Sequence, residues 1–360
     1  EAIQNKAWPG SVLLGSKDGK IFIHEASGFH TYDKKREVRK SDIFDLASIT
    51  KVISTTSAIM KLYDNKLLDL DDPVINYVPE FKGRQKKYFD HKSNITIKDL
   101  LTHTSGLPPF RQYYLMKGSI DTRLDSIYNT EPVFDLHETM VYSDVGIIIL
   151  GKIVETISKV KLDVFVQSNI FDPLGMNNTF YNPPKEKLHR MVPTEIDPKG
   201  NLIKGYVHDE NAYSIGGVAG HAGLFSKTKD LAIFSQMMLN KGLYGWKRIF
   251  RSETVDLFTQ RSNIILGDSR CLGWDSPSGK ASGGVYLSNS SYGHTGFTGT
   301  SLWIDPENDM IVILLTNAVH PDRESKAPHY FDWRQRIHSA VYESVGLTEK
   351  NPDLQWRRQW

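Results

Sequence analysis

The chain has few of the features that mark several common protein classes. Its 360 residues include one cysteine, Cys271, which excludes an internal disulfide and predicts a small buried apolar side chain. The net charge is only +2, from 44 Lys and Arg against 42 Asp and Glu, and no basic block indicates nucleic-acid binding. The longest apolar run, near residues 145–150, is far too short to span a membrane.

The pattern of elements predicts one sheet built from both chain ends. Residues 11–14 and 20–24 flank a turn, and residues 300–304 and 310–317 flank another, so each pair predicts a β-hairpin. Residues 330–345 are helical in character, and helix-like runs predominate between residues 70 and 279.

We therefore predict a mixed α/β (α+β) fold in a single domain, residues 1–360. It has an antiparallel sheet flanked by helices in an α/β subdomain (residues 1–69 and 280–360) and a mostly helical subdomain (residues 70–279). Residues 2–8 resemble the tail of a helix, which is typical of a chain processed or cut from a longer polypeptide.

A serine and a lysine stand out in residues 43–60 (IFDLASITKVISTTSAIM). Small and apolar side chains run all the way round this segment, which predicts a buried helix. Lys51 is costly to bury unless it is paired or used, and Ser48 precedes it on the same helical face. A hydroxyl beside a desolvated amine can be an activated nucleophile. The alternative is a helix-capping serine with a lysine that extends to water.

The same Ser-x-x-Lys spacing occurs twice more, in polar surroundings. Ser158 and Lys161 lie where a predicted helix becomes polar and ends. Ser226 and Lys229 precede the periodic run LAIFSQMML and indicate the start of a helix. Only Ser48 has an apolar setting for its lysine, so it is the candidate nucleophile.

Two further polar clusters have both a structural and a functional interpretation. Tyr142-Ser143-Asp144 precedes an apolar helix, which Ser143 or Asp144 would cap. Residues 293–300 (GHTGFTGT) form a glycine-rich run into a strand, typical of a turn with a hydrogen-bonding histidine. Tyr63-Asp64-Asn65 also fits a Tyr-x-Asn pattern, but it begins 15 residues beyond Ser48 on the same helix. That spacing puts it about 22 Å away, too far to act with Ser48.

Together, residues 48–51 (SITK), 142–144 (YSD) and 294–296 (HTG) resemble the three motifs of the serine β-lactamase and penicillin-binding protein superfamily. Their spacing is most similar to the branch of class C β-lactamases, D-alanyl-D-alanine peptidases and related esterases. Residues 99–108 (DLLTHTSGLP) are also similar to a segment of that branch. The resemblance covers nearly the whole chain. It implies an exported bacterial enzyme, periplasmic or secreted, that needs no metal or organic cofactor.

The resemblance also assigns catalytic roles. Ser48 would attack a carbonyl carbon and form an acyl-enzyme. Lys51 would have to be made more acidic by burial or by a neighbouring charge, so that it accepts the serine proton. Tyr142 would relay that proton to the leaving group or act as base toward water. The backbone N–H groups of Ser48 and Phe297 would form the oxyanion hole.

The strand motif and Asp144 bear on substrate binding. His294 and Thr295, beside Gly296, would hold a substrate carboxylate or polarise Tyr142. Asp144 replaces the family's usual asparagine with a group that only accepts hydrogen bonds when ionised. His294 replaces lysine and makes the local charge depend on pH. Both departures predict a cleft with less positive charge, and therefore poor binding of anionic β-lactams.

A fourth segment narrows the subgroup. Residues 207–212 (VHDENA) and 216–226 (GGVAGHAGLFS) are similar to members found with, or fused to, bacterial N-acetylglucosaminidases of cell-wall recycling. Some of these are taken to be N-acetylmuramyl-L-alanine amidases. Their association with N-acetylglucosaminidases implies a fused or neighbouring glycosidase. The residues themselves predict a glycine-rich loop that brings His208, Asp209 and His221 within reach of one another. A cleft-lining polar loop is favoured, while loop packing and a metal site both stay open.

The sequence therefore predicts a serine hydrolase that acts through an acyl-enzyme on an amide or ester bond. The expected substrate is a small molecule or peptidoglycan fragment, with a muramyl-peptide amidase or a D-alanyl-D-alanine peptidase as the type of enzyme. The alternatives are an esterase with a broad small-ester range, a β-lactamase, and a cell-wall-binding or sensor module that acylates but barely turns over.

Overall fold

The structure is a computed structural model that describes residues 1–279, 282–326 and 329–356. Its strands are β1 (Gly10–Lys17), β2 (Lys20–Gly28), β3 (Phe44–Asp45), β4 (Phe180–Tyr181), β5 (Leu224–Ser226), β6 (Leu243–Tyr244), β7 (Lys247–Arg248), β8 (Tyr292–Gly296), β9 (Thr300–Asp305) and β10 (Met310–Thr316). Its α-helices are α1 (Ser57–Asp64), α2 (Phe89–Asn94), α3 (Ile97–Thr102), α4 (Ile120–Tyr128), α5 (Asp144–Ser158), α6 (Leu162–Val166), α7 (Asp172–Leu174), α8 (Glu210–Ser214), α9 (Thr228–Leu239), α10 (Ser252–Thr259) and α11 (His329–Glu343).

Both chain ends build the main sheet, as predicted. The sheet is antiparallel with the order β2-β1-β10-β9-β8. The two predicted hairpins are β1–β2 and β9–β10, and the predicted final helix is α11. The ends of the chain meet where β1 pairs with β10, from Ser11 opposite Thr316 to Lys17 opposite Met310. Strand β8, which carries the candidate site residues His294 and Thr295, lies at one edge of this sheet. Neither chain end could form the sheet alone.

Strand β10 is apolar on both faces because helices cover both sides of the sheet. Its residues Ile311, Ile313 and Leu315 belong to the large central core. The alternating residues Met310 and Val312 pack instead in a smaller cluster with residues of α11. Since successive strand side chains point to opposite faces, the sheet separates the two clusters. None of the helices in the described ranges is long and apolar enough to cross a membrane.

The helix predicted over residues 43–60 begins later than expected. Phe44 and Asp45 form β3, which pairs with β5, and the helix starts at the 3₁₀ turn Ala47–Ile49. It continues as a π-helical segment, Lys51–Thr56, and then as α1. We refer to residues 47–64 as the Ser48 helix. The prediction for residues 43–46 was wrong because strand pairing and a buried helix both use an apolar run, so their periodicity is ambiguous.

Two other local predictions are confirmed. Ser158 is the last residue of α5, which confirms the predicted helix end. Ser226 is the last residue of β5 and α9 begins at Thr228, which confirms that Ser226 and Lys229 indicate the start of a helix. Residues 2–6 form turns, and no regular helix is present in residues 2–8. The proposed subdomain boundary at Lys280 lies outside the described residues, and the division into subdomains stays a prediction.

Candidate active site

Ser48 lies at the start of its helix, on a backbone held by a buried carboxylate. The Asp45 side chain accepts a hydrogen bond of 2.9 Å from the Ala47 N–H. Ala47 itself has φ +45°, a left-handed conformation that is costly for a residue with a side chain. Strain of this kind concentrates at functional sites, and here it immediately precedes the candidate nucleophile. The π-helical segment that follows, with every residue buried, is a second departure from regular geometry common at such sites.

Lys51 is almost completely buried, yet its ammonium has several polar contacts. It donates to Ser48 Oγ at 2.9 Å and to the His221 carbonyl oxygen at 3.1 Å. Its third contact is an ion pair of 2.7 Å with Asp144 Oδ1. The Tyr142 side chain is a further hydrogen-bonding neighbour of the ammonium. The predicted pairing of Ser48 with a buried lysine is therefore present in the structure.

The prediction that the pKa of Lys51 is lowered was wrong. Burial alone would lower the pKa of Lys51, but the Asp144 carboxylate and Tyr142 outweigh burial and raise the pKa above its usual 10.5. Lys51 is consequently an ammonium at neutral pH. In this resting state it donates to Ser48 Oγ and stabilises negative charge there, and it cannot accept the serine proton before losing its own.

Tyr142 is enclosed by cationic and imidazole side chains. Lys51 Nζ lies 4.9 Å from the centroid of the Tyr142 ring, and the guanidinium carbon of Arg270 lies 5.1 Å from it. The rings of His103 and His294 lie 4.7 and 5.8 Å away, centroid to centroid. Burial lowers the pKa of both histidines well below 6.5, and Arg270 and Lys51 lower it further. Both imidazoles are therefore neutral at neutral pH.

Strand β8 brings His294 and Thr295 to the site because Gly296 packs directly against Leu46, the residue before the Ser48 helix. A Cβ on Gly296 would collide with the Leu46 carbonyl oxygen. The same carbonyl accepts a hydrogen bond of 3.1 Å from Thr300 Oγ1 on β9. A substitution at this glycine would consequently push the sheet edge away from Ser48.

Six of the predicted site residues line one cavity of about 540 Å³, whereas Lys51, Asp144, His208 and His221 do not. Ser48, Tyr142, His294, Thr295, Gly296 and Phe297 all line it, along with Arg270, Lys326 and Arg334. Phe297 follows β8 and is 47% exposed. Its backbone N–H remains the proposed partner of the Ser48 N–H in an oxyanion hole. Arg270 and Arg334 in the lining indicate a cleft suited to an anionic ligand, whereas burial lowers the pKa of Lys326 to about 7.

Arg270 is the main site residue that the sequence did not reveal. It is 9% exposed, and among the described residues its Nε and Nη1 atoms have no hydrogen-bond partner. A buried guanidinium with unused donors is costly unless a ligand supplies an acceptor. Arg270 supplies a permanent cation beside the neutral His294, and poor binding of anionic β-lactams stays a prediction.

Asp144 faces Lys51, at the N-terminus of α5. Ser143 caps this helix by accepting a hydrogen bond of 3.3 Å from the Gly146 N–H, which confirms the structural interpretation of that serine. Asp144 is the first residue of α5 and forms the 2.7 Å ion pair with Lys51. Its carboxylate thus balances the buried ammonium, where the family's asparagine would be neutral.

The side chain of His208 has different partners from those of Asp209 and His221. His208 Nε2 hydrogen-bonds Glu195 at 2.7 Å, and its ring stacks on Phe297 with centroids 5.8 Å apart. His221 Nε2 hydrogen-bonds Asp209 Oδ1 at 2.9 Å. Ligand atoms of Asp144, Asp209 and His221 lie within 4.8 Å of one another, a group able to hold a metal by ligand type. The predicted grouping with His208 is replaced by one with Asp144.

Comparison with known proteins identifies the family. The sequence pattern of the family described as Beta-lactamase matches residues 1–335. The chain belongs to the β-lactamase family. A relative in Salmonella heidelberg (strain SL476), named "Putative D-alanyl-D-alanine carboxypeptidase", is 36% identical over 356 residues. The match covers 88% of this chain and 81% of the relative.

Solved structures of this β-lactamase-family fold agree with the architecture. EstCE1, described as a hydrolase with promiscuous acyltransferase activity, has a TM-score of 0.73 at 20% identity and covers 95% of each chain. A class C β-lactamase from Rhodobacter sphaeroides has a TM-score of 0.72 at 17% identity and covers 95% of this chain and 96% of its own. These similarities confirm the predicted fold, and family membership confirms the predicted serine hydrolase.

Proposed function

We propose that this β-lactamase-family protein hydrolyses the amide bond beside a free C-terminal carboxylate, as a D-alanyl-D-alanine-type carboxypeptidase of peptidoglycan-derived peptides. Arg270 carries the proposal. Its unused donors line the cavity, and its guanidinium lies 5.1 Å from the Tyr142 ring. A carboxylate bound there would place the departing residue beside Tyr142, the proposed proton donor to the leaving nitrogen.

The chemistry follows from the arrangement around Ser48. After the Lys51–Tyr142 unit has released one proton to solvent, Ser48 Oγ bonds to the scissile carbonyl carbon as its own proton passes to that unit. The N–H groups of Ser48 and Phe297 stabilise the oxyanion. The C–N bond then breaks, and Tyr142 returns the proton to the leaving amine. Water hydrolyses the acyl-enzyme by the same steps in reverse order. In its protonated form, Lys51 stabilises negative charge on Ser48 Oγ, to which it donates a hydrogen bond of 2.9 Å.

The substrate class is supported by the name of the Salmonella relative, which specifies D-alanyl-D-alanine. A peptidoglycan substrate also supports an exported, periplasmic or secreted location. A fused or neighbouring glycosidase stays part of the proposal, because a muramyl peptide from such an enzyme would be a suitable substrate.

The proposal predicts that a free substrate carboxylate is recognised by Arg270. Hydrolysis of a peptide ending in D-Ala-D-Ala should be about 10- to 100-fold faster, in kcat/KM, than that of its C-terminal amide, as expected for a charge-assisted hydrogen bond. Arg270→Gln should remove this preference by slowing the free acid alone. Arg39→Gln, at an exposed arginine outside the cavity, is the matched control.

Equal rates for the acid and the amide would contradict the assignment of Arg270. Faster cleavage of N-acetylmuramyl-L-alanine, small esters or nitrocefin than of the D-Ala-D-Ala peptide would favour the amidase, esterase or β-lactamase alternative respectively.

A further inference from the structure

The glycine-rich segment, residues 216–224, lies between the Ser48 helix and α5. The Gly220 carbonyl accepts a hydrogen bond of 2.7 Å from Thr55 Oγ1, and the Leu224 N–H donates at 3.1 Å to Thr50 Oγ1. On its other side, a Cβ on Gly220 would collide with the Ile147 carbonyl of α5. The segment is thus fixed against both elements that carry proposed catalytic residues.

His221 connects this segment to Lys51 through its backbone and to Asp209 through its ring. Its carbonyl oxygen accepts the 3.1 Å hydrogen bond from Lys51 Nζ, and its Nε2 atom lies 2.9 Å from Asp209 Oδ1. The His221 side chain is 1% exposed. Asp209 is itself held at the start of α8, where it accepts a hydrogen bond of 2.7 Å from the Ala212 N–H. A chain of bonds therefore runs from the α8 cap to the ammonium.

We propose that Asp209 and His221 form a positioning pair, which aims the His221 carbonyl at the Lys51 ammonium and places a second carboxylate beside it. The inference deepens the proposed function and rests on Ser48 being its nucleophile. Neither residue contacts the reacting atoms; both act through Lys51.

Charge balance supports the pair. Burial would raise the pKa of Asp209, but His221 and Lys51 hold it well below its usual value, so this carboxylate is ionised at neutral pH. Lys51 therefore has two carboxylates nearby, Asp144 at 2.7 Å and Asp209 beyond it. The titratable groups near the pair are Lys51 from the Ser48 helix, Asp144 at the start of α5, Asp45 on β3, and His208 next to Asp209.

A metal ion is the competing occupant of the same group. Asp144, Asp209 and His221 are suitable ligands for Zn²⁺ by type. The Lys51 ammonium, however, already contacts Asp144 Oδ1, so a dication would have to displace it or be held against its repulsion. The contacts therefore favour a role in holding the lysine.

The test follows the reactivity of Ser48 with a fluorophosphonate probe across pH, which needs no knowledge of the natural substrate. Asp209→Asn keeps a good helix cap but removes one negative charge beside Lys51. The deprotonated form of the Lys51–Tyr142 unit is then favoured, so the acid limb of the labelling profile should move to lower pH by at least about half a unit. The plateau rate should fall about tenfold because the ammonium is less firmly held.

Two further comparisons separate positioning from folding. His221→Ala should lose about tenfold in plateau rate, while His221→Gln, which retains a side-chain donor toward Asp209, should recover to within about threefold of the unmodified protein. Asp42→Asn removes the charge from another buried histidine–aspartate pair, His30–Asp42 at 2.8 Å, whose contacts do not include Lys51. This control should shift neither the acid limb nor the plateau.

The possible outcomes are distinct. An unshifted acid limb in Asp209→Asn with normal labelling of the unmodified protein would overturn the positioning pair and leave the proposed function intact. Activation by added Zn²⁺ that is lost in Asp209→Asn would replace the pair with a metal site. Absence of probe on Ser48 in the unmodified protein would overturn the proposed function and this inference together.

Discussion

Lys51 shows how one neighbouring side chain decides the chemistry of a buried amine. Burial opposes its charge, but Asp144 at 2.7 Å and the hydroxyl of Tyr142 more than compensate. With asparagine in place of Asp144, the same lysine would lose its closest negative charge. The sequence could predict that Ser48 and Lys51 are paired, because helical spacing places them on one face. It could not predict the charge, because that depends on where Asp144 points.

Lys51 and Tyr142 should behave as a single proton-transfer unit. Their contact, with Lys51 Nζ 4.9 Å from the ring centroid, means that removing either leaves the other without its partner. We expect Lys51→Met and Tyr142→Phe each to lower kcat/KM by about 10³-fold or more, and the double variant to lose little beyond the worse single variant. Steady-state kinetics on one ester substrate measure this double-mutant cycle. Losses that simply multiply would show two independent roles.

Other residues of the cleft carry no readable signal in the sequence. Arg270 lies in the run SRCLGW, which matches no motif, and Lys326 lies in a short 3₁₀ turn before α11. His103 belongs to the segment DLLTHTSGLP, which was recognised as typical of the family, yet its ring contact with Tyr142 was not. All three approach the site through tertiary packing between distant elements. Spacing along the chain could not reveal such contacts.

At the scale of elements, regular hairpins were predictable and short pairings were not. The β1–β2 and β9–β10 hairpins have strong local turn signals at residues 18–19 and 305–309. The small sheet β3-β5-β4 has strands of only two or three residues, brought together from distant parts of the chain. Strand β3 lies just before the Ser48 helix. The prediction of a helix from residue 43 and the failure to predict this sheet therefore have one cause, the two-residue strand β3.

The position of the glycine-rich segment predicts an effect of Gly220→Ala on stability. The added methyl group would collide with the Ile147 carbonyl, and overpacking of this kind costs about 1–3 kcal/mol of unfolding free energy. Urea denaturation should show a lower midpoint with an unchanged slope. Gly146→Ala in α5 is the control, because its new Cβ would lie 3.3 Å from the movable end of the Leu100 side chain. Equal stability of the two variants would contradict the close packing of Gly220.

For the whole molecule, the architecture explains why the site needs distant segments. Ser48 comes from the N-terminal part of the chain, Tyr142 from the start of α5, and His294 from the C-terminal strand β8. The order and type of the motifs were enough to predict this assembly through resemblance to a family. The ion pairs that join the regions were not predictable. In one of them Arg323 binds both Glu195 at 2.8 Å and Glu210 at 2.6 Å.

The central claim is that the 540 Å³ cleft is the active site of a serine hydrolase with Ser48 as nucleophile. Intact-mass analysis and peptide mapping after reaction with a fluorophosphonate test it most directly. The account predicts one adduct, on Ser48, together with loss of ester hydrolysis, and it predicts neither adduct nor hydrolysis in Ser48→Ala. An adduct on another serine, or undiminished hydrolysis by Ser48→Ala, would contradict it.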